Sequence, residues 1–355
     1  MRPLSDFSLA AVFSRSVSRL SFALVFFSLA ALVRADESST TSISREVKAV
    51  FDKSAKSVVK VRGADEHGEF AGTGFFVDPA GTLYTAYSVA GEADSLTVDF
   101  DGKKYPARIL LADLRSGIAL LKVDTATPVL PIGKSEQVEV AMPVISIGYP
   151  LDLPETPSFG MIAGFDRKIF GRYFSTTHLR VNVPTQRGEA GAPILNFKGE
   201  VVGILVSNIE NGSACHALPI DAAEKIRNDF VRFGEARHGW IGINVAASEK
   251  FKDGSHAEMT EIMKDTPAFG SGVKPGDILL QVGKTKVHEP EDVIDASFFI
   301  TAGDTVPITV MRGDEKLTFQ IEADFHPASR HLPIIASPSI NQAIPLRLDS
   351  VERTP

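Results

Sequence analysis

The sequence predicts a mostly β protein built as two β-rich units, and three observations predict it. From Val58 to about Ile220, short β-branched and aromatic runs succeed one another, separated by turn signals. One amphipathic segment then closes that region at a glycine. A second, shorter β-rich unit comes next, from about His238 to Ala323. Many short strands at this spacing indicate barrels or sandwiches.

Taken in order, "REVKAVFDKSAKSVVKV" reads as a short helix running into a strand. The β runs are then "TGFFVD", "TLYTAYSV", "SLTVDF", "IALLKV", "PVISIGYP", "HLRVNV", "APILNF" and "EVVGILVSN", with turns at "DPAG", "FDGKK" and "NFKGE". "PIDAAEKIRNDFVRFG", Pro219 to Gly234, has the period of a helix ending at glycine. In the second unit, "GWIGINV", "TVPITVMR" and "KLTFQIEA" read as strands and the stretch from Pro290 to Phe299 as a helix. The expected domains are 1–35 leader, 36–46 polar linker, 47–234 first domain, 235–325 second domain and 326–355 proline-rich tail, extended or disordered.

Leu20 to Val33 is an apolar-plus-serine run, shorter than the roughly 20 residues that span a bilayer. It comes after arginines and ends at "VRA", so residues 1–35 are read as a signal peptide cut before Asp36, with an uncleaved membrane tether as the alternative. An exported protein, periplasmic or extracellular, is therefore expected. The 355 residues carry a formal charge of −7, and removing four arginines and one aspartate with the leader makes the remainder more acidic. That argues against nucleic acid as a partner, because phosphate binding needs a basic surface.

Cys215 is the only cysteine, so no intramolecular disulfide is available. A nucleophilic role would need a base beside it. His216 is adjacent, but on a strand the two side chains point to opposite faces. No HExxH or paired CxxC spacing occurs, and neither a metal nor a cofactor is expected.

"QRGEAGAPILN", Gln186 to Asn196, is a glycine-rich turn of the kind that offers backbone N–H groups to an anion, with Ala190 where a nucleophile would stand. With "GTGFFVDPAG" and "LYTAYSVA", then "YPARILLADLRSGIALLKV" and "LPIGKSEQVEVAMPVISIGYP", it resembles the HtrA family of exported serine proteases, those of the DegP, DegQ and DegS type. The likeness runs from about Val47 to Ala323. It implies a chymotrypsin-like double β-barrel followed by one PDZ domain.

The resemblance also locates three departures. Where the family carries its histidine, "TAYSV" has Ser88. Where it carries aspartate, "DLRSGIALLK" has Gly117. Where "GNSGGP" carries the serine, "GEAGAP" has Ala190. Each change removes a separate role: no acyl-enzyme can form on alanine, a serine hydroxyl is no general base near neutral pH, and glycine cannot orient an imidazole. None of the eight histidines lies between Gly68 and Thr177. His178 and His216 remain as stand-ins, with partly buried structural imidazoles the favoured reading. The expected site is thus an oxyanion-hole-like loop of Gly188, Glu189 and Ala190 with no intact catalytic residues.

"HGWIGINV" resembles the carboxylate-binding loop and first strand of HtrA-type PDZ domains, and "SGVKPGDILLQVGKTKV" a second block of that domain. Trp240, Ile241, Gly242 and Ile243 are the expected peptide-binding residues, in a mode where a peptide adds as a strand and N–H groups hold its carboxylate. Trp240 is either a packing residue or a peptide-facing anchor, and "KPGD" reads as a turn. The function expected is an exported pseudoprotease that binds unfolded or C-terminal peptides as scaffold, holdase or regulatory subunit. The alternative is an active endopeptidase of protein quality control with an unconventional site; Ser88 and Ser116 lie near each other but lack a neighbouring lysine or histidine. Partners implied by the resemblance are polypeptides, a homo-trimer built through the segment around Phe51, or assembly with an active paralogue.

Overall fold

A computed structural model describes residues 42–167, 176–209, 212–248, 250 and 256–327. The leader expected at 1–35 and the tail from residue 328 onward lie outside them. Residues 42–54 form a helix, α1, with an exposed Lys48–Asp52 pair one turn apart.

The first sheet is built from β1 (Val58–Asp65), β2 (Gly68–Phe76), β3 (Thr82–Ala86), β4 (Ser95–Phe100), β5 (Lys103–Pro106), β6 (Arg108–Asp113) and β7 (Ile118–Lys122). Its order is β5-β4-β1-β2-β3-β7-β6, with antiparallel pairings throughout. Inward residues such as Val59, Val61, Phe76, Leu83, Val98 and Leu121 form its core. Only part of "TLYTAYSV" is strand. After Ala86 the chain turns into a short helix, α2 (Tyr87–Ala90), where the Tyr87 N–H leaves the ladder and donates to the Gly117 carbonyl at 2.8 Å. Ser88 therefore stands on a helical turn.

The second sheet closes on itself. It comprises β8 (Pro143–Gly148), β9 (Thr156–Asp166), β10 (His178–Val181), β11 (Pro193–Leu195), β12 (Val201–Ile209) and β13 (Ala214–Pro219), and the barrel runs β10-β13-β12-β11-β8-β9. β9 is absent from the strand runs read in the sequence because its buried positions are Gly160, Ile162 and Gly164 while Phe159, Met161 and Phe165 are exposed. The glycines are there for room: a Cβ on Gly160 would stand 2.8 Å from the Asn182 carbonyl oxygen. Helix α3 (Ile220–Phe233) comes next and ends at Gly234 with φ 79°, the left-handed cap that the sequence signalled.

The third layer is PDZ-like. β14 (Gly239–Trp240) pairs with β21 (Asp324–Phe325). The main sheet holds β15 (Ile243–Ala247), β16 (Ala257–Ile262), β17 (Ile278–Val282), β19 (Thr305–Arg312) and β20 (Glu315–Glu322) in the order β15-β16-β17-β19-β20, and β18 (Thr285–Lys286) pairs with β17. Helix α4 (Pro290–Phe298) begins with a capping box between Glu289 and Asp292. β15 is the edge strand, and α4 lies beside it. Phe325 and His326 are part of this layer: Phe325 pairs with Gly239, and the His326 N–H donates to the His238 carbonyl.

Candidate functional site

The turn 186–191 is pinned between the two β units by Thr73 of β2. The Thr73 N–H donates to the Ala190 carbonyl at 2.9 Å, and its hydroxyl donates to the Gly188 carbonyl at 2.8 Å while accepting the Tyr149 N–H at 3.1 Å. Thr85 in turn donates its hydroxyl to the Thr73 carbonyl at 2.8 Å. Carbonyls held this way fix which side of the turn its N–H groups face. Neither the Gly188 nor the Ala190 N–H has a protein acceptor among the described residues. Gly191, at φ 88°, admits no side chain, since a Cβ there would sit 2.2 Å from the Thr73 oxygen. Gly188, at φ 101°, is equally tight against the Tyr149 oxygen.

Two observations bear on the three departing positions. Ala190 packs against the first core, the cluster that also contains Ala86 and Val89 of the segment around Ser88. Gly117 accepts the Tyr87 N–H, one residue before Ser88. Gly117 has φ 75°. Ser116 is buried, and its hydroxyl donates to the Asp113 carbonyl, so it points into its own turn.

Glu189 turns inward. Its side chain is buried, accepts the Gln186 N–H at 2.6 Å and lies against Gly148. Burial holds its carboxyl above the usual carboxylate range, and the Gln186 hydrogen bond pulls it partly back. Cys215 is buried in the second core, where burial and then the Glu189 charge push its thiol up to about 12. A thiol so placed is no nucleophile at neutral pH.

A second group of polar side chains lies on the outer face of the second barrel. His216 and Cys215 do point to opposite faces: Cys215 and Ala217 join the core, and His216 faces out. Its Nε2 is 2.8 Å from an Asp166 oxygen, and its Nδ1 is 3.4 Å from the Ser207 hydroxyl. Arg180 holds the other Asp166 oxygen at 3.1 Å. His178 is also buried on this face, with Nδ1 2.8 Å from the Thr176 carbonyl, and burial lowers its imidazole to about 4.

In the PDZ-like layer, Gly242 has φ 83° and a position no Cβ could share with Thr266, 2.3 Å away. Ile241 is buried, and its carbonyl accepts the Ala268 N–H. Ile243 opens the edge strand β15, and Trp240, paired with Asp324, sets its ring 6.4 Å from the His326 ring. The layer meets the barrels through charge. Buried His238 places Nε2 3.0 Å from Asp113 of β6, and this partner, with the Ser116 N–H, holds the Asp113 carboxyl well below the carboxylate range against the opposing effect of burial. Lys225 and Asp229 of α3 form a buried pair at 2.8 Å, and Thr301 donates to Asp229. Arg167 reaches Glu289 and Asp292, and Thr177 reaches Asp295 of α4.

Sequence reasoning missed Thr73, although the motif that contains it stood out, and it missed Ser207, Asp166 and the Asp113–His238 pair. Those depend on strand parity and on contacts between distant segments, which local pattern does not carry.

Comparison with known proteins agrees with the architecture. The pattern of the trypsin-like peptidase domain matches residues 72–204, and that of the PDZ domain matches residues 239–323. A protein of Pseudomonas fluorescens named as a probable periplasmic serine endoprotease, DegP-like, is 28% identical over 264 residues, covering 70% of this chain and 55% of its own length. The serine endoprotease DegS of Salmonella typhimurium is 26% identical over 276 residues, covering 73% and 78%. The chain spans little more than half the length of the DegP-like relatives it matches. A solved structure, the HtrA-type protease AlgW with a tripeptide, superposes with a TM-score of 0.68 at 20% identity, covering 79% of this chain and 97% of its own.

Proposed function

We infer that this chain, which belongs to the HtrA family of trypsin-like serine proteases with a PDZ domain, is an exported pseudoprotease that binds polypeptide without cutting it at the family site. The observation that carries the reading is that the positions to which the family likeness assigns histidine, aspartate and serine hold Ser88, Gly117 and Ala190, with the Tyr87 N–H bonded to the Gly117 carbonyl and Ala190 packed against the first core. In a triad hydrolase the loss of the triad costs about 10⁶-fold in kcat, while oxyanion donors and binding alone leave roughly 10³–10⁴ over water. For peptide bonds that remainder is negligible.

Two free strand edges support peptide capture. Beyond Leu205, the side of β12 that faces the 186–191 turn carries no partner strand among the described residues. β15 likewise has one open edge, beside α4 and directly after the Trp240–Ile243 loop. An extended peptide satisfies such edges by β-addition, and the Gly242 turn aims backbone N–H groups at a terminal carboxylate. The substrates of this binding are unfolded segments and free C-termini, and the protein acts as scaffold, holdase or regulatory subunit, as a trimer or beside an active paralogue. Homologues named as periplasmic support the exported setting.

Casein hydrolysis by the purified full chain, measured beside an active family member, tests this. No turnover is expected. Cleavage at a comparable rate, surviving removal of trace contaminants, would sink the inference.

A further inference from the structure

We propose that Ser207, His216 and Asp166 form a second, unrelated acyl-transfer site on the outer face of the second barrel, with activated carboxylic esters as its substrate class. Alternate residues of a strand face opposite sides, so Ser207 should share the core-facing direction of Leu205, and Asp166 that of Ile162. Neither does. On β12, Leu205 pairs with Ala217 and Ser207 with His216, so Val206 is an extra residue. On β9, Ile162 pairs with Val181 and Gly164 with Arg180, so Ala163 is an extra residue. Each extra residue is a β-bulge, and each reverses the facing of the strand residues beyond it. Two independent bulges thus turn a hydroxyl and a carboxylate outward, onto the face that already carries His216.

The result is an ordered relay. With Asp166 ionised, His216 donates Nε2–H to it at 2.8 Å, leaving the Nδ1 lone pair to accept the Ser207 O–H at 3.4 Å. A hydroxyl, an imidazole and a carboxylate in this order make an activated nucleophile irrespective of fold. The orienting acid is itself fixed by Arg180, whose guanidinium lies over Gly164, where a side chain would displace it. His216 is shielded and Ser207 is partly open, so the base is protected while the nucleophile can be reached. Ser207 stands two residues, about 7 Å of strand, beyond Leu205, whose carbonyl accepts the Gly191 N–H.

The chemistry balances without a co-reactant beyond water. The Ser207 oxygen attacks the ester carbonyl carbon, its proton passes to His216 Nδ1, and the carbonyl electrons move to oxygen. Collapse breaks the C–O bond, and the leaving alkoxide takes the proton from Nδ1, leaving an acyl-serine. Water repeats the route, releasing the acid and restoring Ser207. Ser207 lies in a β ladder and not in a turn with paired amides like Gly188–Ala190. Oxyanion donors contribute roughly 10²–10³ in rate, so good leaving groups are the fitting substrates and amides are not.

The test uses the full chain with p-nitrophenyl acetate and a fluorophosphonate probe, mapping any adduct by mass spectrometry. The adduct and the acyl group are expected on Ser207. Ser207→Ala should abolish both and lower ester turnover at least tenfold, whereas Ser88→Ala should change neither. Asp166→Asn should slow acylation at least tenfold while leaving the fold intact by circular dichroism. An unmodified Ser207, or ester turnover indifferent to Ser207→Ala, overturns the proposal. The proposal stands apart from the pseudoprotease reading, because casein cleavage decides that one and the Ser207 adduct decides this one.

Discussion

The cleft at the 186–191 turn and the outer face of the second barrel are, on the proposed readings, near-complements. In the cleft the backbone is prepared: Thr73 clamps two carbonyls of the turn, and the N–H groups of Gly188 and Ala190 have no acceptor among the described residues, while the proposed reading leaves Ser88, Gly117 and Ala190 without a nucleophile and base. On the outer face the side chains are prepared, in the order hydroxyl, imidazole, carboxylate, yet among the described residues Ser207 lies in a β ladder and not in a turn with paired amides. Electrostatic preorganisation and nucleophile activation are separable, and this chain holds them in two places.

The sharpest way to break that contrast is to rebuild the first site. Ala190→Ser alone should give no casein cleavage, because nucleophile and base act as a unit and about 10⁶-fold is missing without them. Adding Ser88→His and Gly117→Asp should return a trace and no more: the new aspartate would occupy φ 75°, which costs a non-glycine residue roughly 1–2 kcal/mol. Robust activity from the single change would reveal a base in the cleft and end the contrast.

The next effect concerns the junction. His238→Ala strips a buried carboxylate of its partner, and loss of one member of such a pair costs about 3–5 kcal/mol, read as a fall in denaturant midpoint. Since the Asp113 carboxyl is held below its unfolded value, near 3.9, its stabilisation is complete above that value. It drains away as the pH falls further toward the depressed folded one. A midpoint that changes between pH 5 and 8 through Asp113 would contradict this.

Gly191→Ala should cost about 2–3 kcal/mol through its left-handed backbone and its contact with Thr73, seen as a lower melting temperature. The smallest effect is at the PDZ edge. Amidating the C-terminus of a bound peptide should weaken it by roughly tenfold, about 1.4 kcal/mol, by anisotropy; equal binding of acid and amide forms would place the contacts elsewhere.

The sequence made the scaffold legible because the scaffold is written locally. Gly234 marks the end of α3, and Pro290 with Glu289 marks the start of α4. The three departures are read from motifs, each from its place inside a well-matched frame. Local pattern hid the parity of the strands. No residue type announces that Val206 or Ala163 is an extra one, so Ser207 and Asp166 read as ordinary strand positions and His216 as a structural imidazole. β9 escaped notice for a related reason: glycine fills two of its buried positions, which erases the alternation that identifies strands. Glu189 was found by position, but its inward turn rests on the space that Gly148 leaves.

Trp240 is the sole indole of the chain, and it rests edge-on against His326 in the loop that precedes β15. Burial keeps the His326 ring uncharged down to about pH 4. A protonated imidazole quenches indole emission where a neutral one scarcely does, so the protein carries a built-in optical reporter. Its fluorescence should hold steady through the physiological range and dim on acidification through about pH 4, which a fluorescence titration checks.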